Sequence, residues 1–115
     1  MKMFLVLEDE PLIAMDLKFA FEDAGHEAVT TSDCSNACEV ISGGKIAGAV
    51  LDVNLGEGRT CEKAANELHR RGIPFVLHTG DLDRVGEYLR DLDAPILSKP
   101  RAANQVVEHI LQMAS

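Results

Sequence analysis

Four short apolar runs in this chain each end on residues that could do chemistry. Leu5-Val6-Leu7 runs into Glu8-Asp9, Ala49-Val50-Leu51 into Asp52, Phe75-Val76-Leu77 into His78-Thr79, and Ile96-Leu97 into Ser98-Lys99-Pro100. Brought together, three carboxylates, a hydroxyl and an ammonium could hold a hard cation beside a phosphoryl group. Oxygen ligands suit Mg²⁺, which keeps several waters and takes few direct protein ligands. A carboxylate can attack phosphorus. A lysine ammonium can balance negative charge developing on the phosphoryl oxygens. Two unit charges about 4 Å apart repel by roughly 1 kcal/mol in water and about 4 kcal/mol near a protein surface. Three gathered carboxylates are therefore unstable unless something cationic lies among them.

The elements that must position these residues are legible. Strand-like and helix-like stretches alternate five times. Met3 to Leu7 reads as the first strand. Pro11 then opens a helix, as proline at the first helical position often does, with Ile13, Leu17, Ala20, Phe21 and Ala24 as its apolar stripe. Gly25 fits a left-handed cap. Residues 28–31 read as a second strand, 35–42 as a short helix ended by Gly43-Gly44, and 46–51 as the third strand. Asn54 to Gly58 is turn-rich. Thr60 is placed to cap a helix carrying Cys61, Ala64, Ala65 and Leu68 on one face, with Gly72 and Pro74 ending it. Phe75 to Leu77 is the fourth strand, and Leu82, Val85, Leu89 and Leu92 mark a fourth helix. Pro95 precedes the fifth strand. Ala103, Val106, Val107, Ile110, Leu111 and Ala114 form the inner stripe of the last helix.

A (βα)5 alternation with short connections implies an α/β doubly wound parallel sheet. Buried parallel strands read as continuous apolar runs, and right-handed crossovers put helices on both faces. In such sheets, ligands bind beyond the carboxyl ends of the strands, which is where the reactive residues fall.

Composition narrows the classes. The 115 residues suit one domain, 1–115, with no linker, repeat or room for an output domain. Apolar residues make up 46% and aromatics 4%, so the core must be aliphatic. A formal net charge of −8 argues against nucleic acid and against anionic membrane surfaces. No apolar run approaches a membrane span, and Met1-Lys2 leads into a strand without a signal-peptide pattern, so a cytoplasmic protein is expected. Cys34, Cys38 and Cys61 read as free thiols. Cys34 and Cys38 are four apart and could share a metal, but no histidine lies nearby to complete a site.

Leu5-Val6-Leu7-Glu8-Asp9-Glu10-Pro11-Leu12-Ile13, Leu51-Asp52-Val53-Asn54, His78-Thr79-Gly80 and Ser98-Lys99-Pro100 together resemble a response-regulator receiver domain of two-component signalling. The likeness spans essentially the whole chain. It implies a flavodoxin-like sheet in the order 2-1-3-4-5. It implies that Asp52 is the phosphoacceptor, taking a phosphoryl group from a histidine kinase or histidine phosphotransfer protein in a Mg²⁺-dependent phosphorelay. It makes the chain a signalling phosphoprotein rather than an enzyme with an external substrate. Asp9 and Asp52 would ligate Mg²⁺ directly, Glu8 through water, and Asn54 by its backbone carbonyl. Lys99 would pair with the phosphoryl oxygens, Lys99-Pro100 would be a cis peptide, Thr79 would move toward the phosphoryl group, and Gly80 would keep the approach open. A downstream protein would read the surface of the fourth helix, fifth strand and fifth helix. Pro74 to Gly80 also resembles a receiver subgroup with a Phe-Ala-Thr-Gly signature, although Leu77-His78 replaces its first two residues.

The chain departs from the pattern at Ile96, where many receivers place the aromatic ring that rotates as the threonine moves. Signalling would then run through the order and packing of the fourth helix and the loop before it, or still through Thr79 with no ring needed. Arg101 replaces a common apolar residue. His78 adjoins the site and suits packing or solvent contact more than tuning of phosphate lifetime, and Asp81 suits a cap on the fourth helix slightly more than positioning water for dephosphorylation. Two other readings remain: a degenerate receiver that binds partners without phosphorylation, and a flavodoxin-like cofactor binder. The latter would need free N–H groups after the first strand, where Glu8-Asp9-Glu10 stand. An aspartate-nucleophile phosphatase would want an aspartate at Asn54 and a cap domain.

Overall fold

The computed structural model describes residues 1–115. Five strands, β1 (Met3–Leu7), β2 (Glu27–Thr31), β3 (Ile46–Asp52), β4 (Phe75–Thr79) and β5 (Ile96–Ser98), form one parallel sheet in the order β2-β1-β3-β4-β5. Helices α1 (Pro11–Asp23), α2 (Cys34–Ser42), α3 (Glu62–Arg70), α4 (Glu87–Asp91) and α5 (Ala103–Met113) connect and cover it. The doubly wound α/β sheet expected from the sequence is therefore the observed fold. No helix is long and apolar enough to cross a membrane.

The pleat divides the core in two, because successive side chains point to opposite faces. Phe4, Val6, Val50, Val76 and Leu97 face α1 and α5, meeting Leu17, Phe21, Val106, Val107 and Ile110. Leu5, Leu7, Ala49, Leu51 and Leu77 face α2, α3 and α4. Phe4 stacks on Phe21 with ring centroids 4.7 Å apart. Gly48 makes room for this packing: a Cβ there would stand 3.1 Å from Phe4 Cε1 and 3.2 Å from Ile110 Cγ1.

Register brings the strand ends level. Leu7 pairs with Thr31 and Leu51, Asp52 with His78, and Thr79 with Ser98. The strands run further than the apolar runs alone indicate. β2 begins at Glu27, β3 includes Asp52, and β4 includes His78 and Thr79. The added polar residues of β3 and β4 are buried by neighbouring strands, which local hydrophobicity cannot register.

Three local expectations need correction. α2 begins at Cys34, one residue earlier than read, because Asp33 caps it by accepting the Ser35 N–H at 3.0 Å. Cys61, not Thr60, occupies the N-cap of α3; the Thr60 hydroxyl still accepts the Glu62 N–H at 3.3 Å. The fourth helix is broken. Residues Leu82–Arg84 make one 3₁₀ turn, Val85 is extended, and α4 starts only after Gly86. Gly and β-branched Val are poor helix formers, and Asp81 opens the 3₁₀ turn as its N-cap, its carboxylate accepting the Asp83 N–H at 3.0 Å. Val85 and Leu89 of the supposed stripe are buried, whereas Leu82 is exposed.

Candidate functional site

The four strand ends converge. Glu8 and Asp9 follow β1, Asp52 closes β3, and each offers a carboxylate oxygen within 4.8 Å of the others. Glu8 and Asp52 are 3% and 4% exposed, whereas Asp9 is half-buried. Lys99, just past β5, sends its ammonium among them: Nζ lies 2.9 Å from Glu8 Oε1 and 3.5 Å from Asp52 Oδ2. The Glu8 contact is held by charge at close range rather than by an aligned hydrogen bond. The other Glu8 oxygen accepts the Glu10 N–H at 3.2 Å, which ties the acidic pair to the start of α1. Lys99-Pro100 is cis.

The loop after β3 closes the far side. Val53 O accepts the Cys61 N–H and Arg59 O accepts the Leu55 N–H, so the loop is pinched around Asn54 and Thr60. The Asn54 carbonyl accepts no backbone hydrogen bond. Gly56, at φ +81°, brings the loop beside Asp9: a Cβ there would stand 3.5 Å from Oδ2. Sequence reading placed Gly56 in a turn without linking it to the site, since nothing local says which strand end the loop folds toward.

Crowding sets the electrostatics. Burial, then the nearby Glu8 and Asp9 carboxyls, push Asp52 up to about 8, and Lys99 only partly opposes this. Burial pulls Lys99 down, but Glu8 and then Asp52 outweigh it, so Lys99 ends above its ordinary value. One ammonium thus serves two buried carboxylates while a third stands close by. The donor set is all oxygen, acidic and partly solvated, which fits a hard divalent cation. Nothing here suits a soft metal, which prefers sulfur and nitrogen.

No family model matches the chain. It is 32% identical over 99 residues to the phyllosphere-induced regulator PhyR of Methylorubrum extorquens. That match covers 84% of this chain and only 37% of PhyR, so the chain spans little more than a third of that protein. The solution structure of SdrG from Sphingomonas melonis superposes with a TM-score of 0.82 at 36% identity, covering 99% of this chain and 96% of SdrG. The response regulator TrrA of Thermotoga maritima, solved in complex with Mg²⁺-BeF, superposes with a TM-score of 0.83 at 21% identity over 98% of this chain and 99% of TrrA. The chain belongs to the response-regulator receiver domains.

The remaining residues of this receiver are placed as follows. Thr79 is 1% exposed, and its hydroxyl is engaged away from the acids: it accepts the Asp81 N–H at 3.1 Å and donates to Asp81 O at 3.2 Å. Gly80 is exposed, and a Cβ there would meet only Lys99 Cδ, at 4.0 Å. Ile96 is half-buried beside Leu77 and packs on the α2–α4 side of the core. Asp81 caps the 3₁₀ turn, in line with the helix-cap reading. His78 is buried on the α1–α5 side of β4, and neither ring nitrogen has a protein partner. Packing alone does not describe it, and no sequence signal separates a satisfied buried histidine from this one. Burial, then the Lys99 charge, push His78 down to about 4, so its ring is neutral near pH 7.

Proposed function

We propose that this receiver accepts a phosphoryl group on Asp52 from a histidine kinase or histidine phosphotransfer protein, and that the modified domain presents a changed surface to a protein partner. The carrying observation is the convergence of Glu8, Asp9, Asp52 and Lys99 at one end of the sheet. Asp52 supplies the attacking oxygen. The phosphorus–nitrogen bond of the donor breaks, and its electron pair returns to the donor imidazole, which takes up a proton. Lys99 sits where it can balance charge on the transferred oxygens. Asp9 and Asp52 would hold Mg²⁺ directly, Glu8 through water and Asn54 by its carbonyl. When bound, the ion would neutralise the carboxylates and screen charge on the phosphoryl group. TrrA's complex with Mg²⁺-BeF supports that choice of ion.

Exposed apolar residues supply the surfaces. Leu12, Met15 and Phe19 lie on one stripe of α1, 75%, 48% and 52% exposed, and the stripe begins next to the acidic cluster. It offers a phosphodonor protein a foothold within reach of Asp52. Leu82 of the preceding 3₁₀ turn and Tyr88 of α4 are exposed, on the surface that would face a downstream partner with β5 and α5. A cytoplasmic location follows from this role. The acidic residues after β1 count against a flavodoxin-like cofactor, since they would repel its phosphate.

Intact-mass spectrometry tests the reading. Acetyl phosphate with Mg²⁺ should add about 80 Da, and Asp52→Asn should abolish the shift. An unchanged wild-type mass in the presence of both reagents would refute the phosphoacceptor role and favour an unphosphorylated binding module.

A further inference from the structure

Cys34 and Cys38 stand one turn apart on α2, both half-buried and both packed on the part of the core that holds Cys61. Side chains of α3 border the pair. Burial, then the Cys34 thiol, hold Cys38 above its ordinary range, with Glu67 adding to this and Lys63 opposing it. Cys34 also lines an open cleft of about 440 Å³ between the start of α2 and the loop after β3, whose wall includes Leu55, Arg59 and Lys63. The thiol pair is thus buried from behind and reachable from the front. Cys61 differs. It is fully buried at the N-cap of α3, and burial, then Cys34, push its thiol up to about 12, so it stays protonated as a piece of core. The proposed phosphoryl chemistry uses none of the three.

Helical spacing decides what the pair can do. Side chains four apart on a helix have Cβ atoms about 5–6 Å from one another, whereas a disulfide holds them at roughly 3.5–4.5 Å. Cys34 and Cys38 therefore cannot join directly while the first turn of α2 stays wound, and Asp33 fastens that turn by accepting the Ser35 N–H. An ion can bridge them. With metal–sulfur bonds of about 2.3 Å, one ion spans two sulfurs up to about 4.6 Å apart. The number of ligands then selects the ion. Among the His, Cys, Asp and Glu side chains, only Glu8, Asp9 and Asp52 form a trio whose ligand atoms all lie within 4.8 Å of one another. Structural zinc takes four ligands and finds no third beside this pair. Hard cations prefer oxygen. What remains is a soft ion content with two thiolates. We propose that Cys34 and Cys38 bind one Cu(I) ion that enters by the cleft, each thiol losing its proton as its sulfur–copper bond forms and the ion keeping its oxidation state. Lys63 borders both the cleft and Cys38, where its ammonium offsets the charge of the dithiolate. The site is separate from Asp52 and stands whether or not that residue is phosphorylated.

Cu(I) itself is the probe, offered to the full, reduced chain without oxygen as the complex of a coloured Cu(I) chelator. Its transfer is read by absorbance and its stoichiometry by native mass spectrometry. The wild type should take one Cu(I) per chain, and equimolar Zn²⁺ should not displace it. Cys34→Ser and Cys38→Ser should each weaken binding by about a hundredfold, because losing either thiol removes the chelate. Cys61→Ala and Cys61→Val should leave the affinity unchanged; they replace the third thiol with a smaller and a larger apolar group, so a packing defect in one leaves the other to decide. Phenylarsine oxide gives a second readout, since its arsenic joins two neighbouring thiols and its oxygen leaves as water. It should add once to the wild type and to the Cys61 variants, and to neither serine variant. No transfer of Cu(I) to the wild type, a serine variant that binds as tightly as the wild type, or equal loss of binding in both Cys61 variants would each overturn the proposal.

Discussion

Replacing Asp52 with asparagine should stabilise the metal-free protein, by an amount that grows with pH. Burial and the crowding of Glu8 and Asp9 push Asp52 up to about 8, against about 3.9 for an unperturbed aspartate. Between those values the folded chain holds a proton that the unfolded chain has released. Wild-type stability from this group is therefore full below about pH 4 and is lost as pH rises toward 8, with a slope of up to about 1.4 kcal/mol per pH unit. Asparagine keeps the shape and removes the titration. From pH 5 to pH 7 the variant's advantage should widen by about 2–3 kcal/mol.

His78 makes the comparison sharper. Its pKa is pushed down to about 4, so between there and roughly 6.5 the unfolded chain binds the extra proton and stability rises with pH. In the wild type the two slopes oppose each other, leaving a nearly flat profile to about pH 6.5 and a decline above it. In Asp52→Asn the rise from His78 stands alone, followed by a plateau. Urea denaturation in EDTA at half-unit steps from pH 5 to 8 reads both curves. Mg²⁺ should then restore the wild type more than the variant, because a ligand held only by the folded state stabilises it by mass action. A constant difference across the pH range, or a variant less stable at pH 7, would refute the crowded-carboxylate account.

Three further outcomes follow from particular contacts. Lys99→Met in metal-free protein should cost about 3–5 kcal/mol by stranding the buried Glu8 carboxylate, and adding Glu8→Gln should recover most of it; urea melts of both variants decide this. Gly48→Ala should cost about 1–3 kcal/mol through overpacking against Phe4 and Ile110, with Phe4→Leu in the same chain relieving it in a thermal melt. Ile96→Tyr should leave the acetyl phosphate mass shift intact, because Ile96 packs on the α2–α4 side of the core and not among the carboxylates; loss of the shift would show that the position reaches the site.

The sheet and its reactive edge were legible because parallel strands buried on both faces must be apolar throughout. A polar residue abutting such a run marks the strand's end. That logic found Glu8, Asp9, Asp52 and Lys99 without knowing how far apart they would fold. It did not find which acid takes the lysine. Glu8 and Lys99 are 91 residues apart, and β3 and β4 lie between their strands, so only the reach of the Lys99 side chain across the strand ends makes Glu8 the closer partner. The fourth helix misled because Leu82, Val85, Leu89 and Leu92 keep helical phase across a break. Periodicity survives when the chain turns extended at Val85 and Gly86 and then resumes, so the punctuation at Asp81 and Gly86 carried the better information.

The break in that helix bears on how a receiver with Ile96 in place of a ring could signal. The Thr79 hydroxyl cannot serve two masters. It now makes both of its hydrogen bonds to the backbone of Asp81. Asp81 caps the 3₁₀ turn, and the Arg90 side chain reaches from α4 back to the carbonyls of Leu82 and Val85. Tyr88 in turn ties α4 to Asn66 of α3 at 2.7 Å. A phosphoryl oxygen on Asp52 that drew Thr79 inward would have to outweigh two neutral hydrogen bonds, about 1–3 kcal/mol together, which one charge-assisted bond can do. The turn would then lose its anchor at Asp81, and α4, only five residues long, has little helical stability of its own to resist. No ring need rotate at position 96 for that surface to change. On that route the aromatic's usual part would fall to a hydrogen-bond exchange, with Ile96 packed against the core on the α2–α4 side.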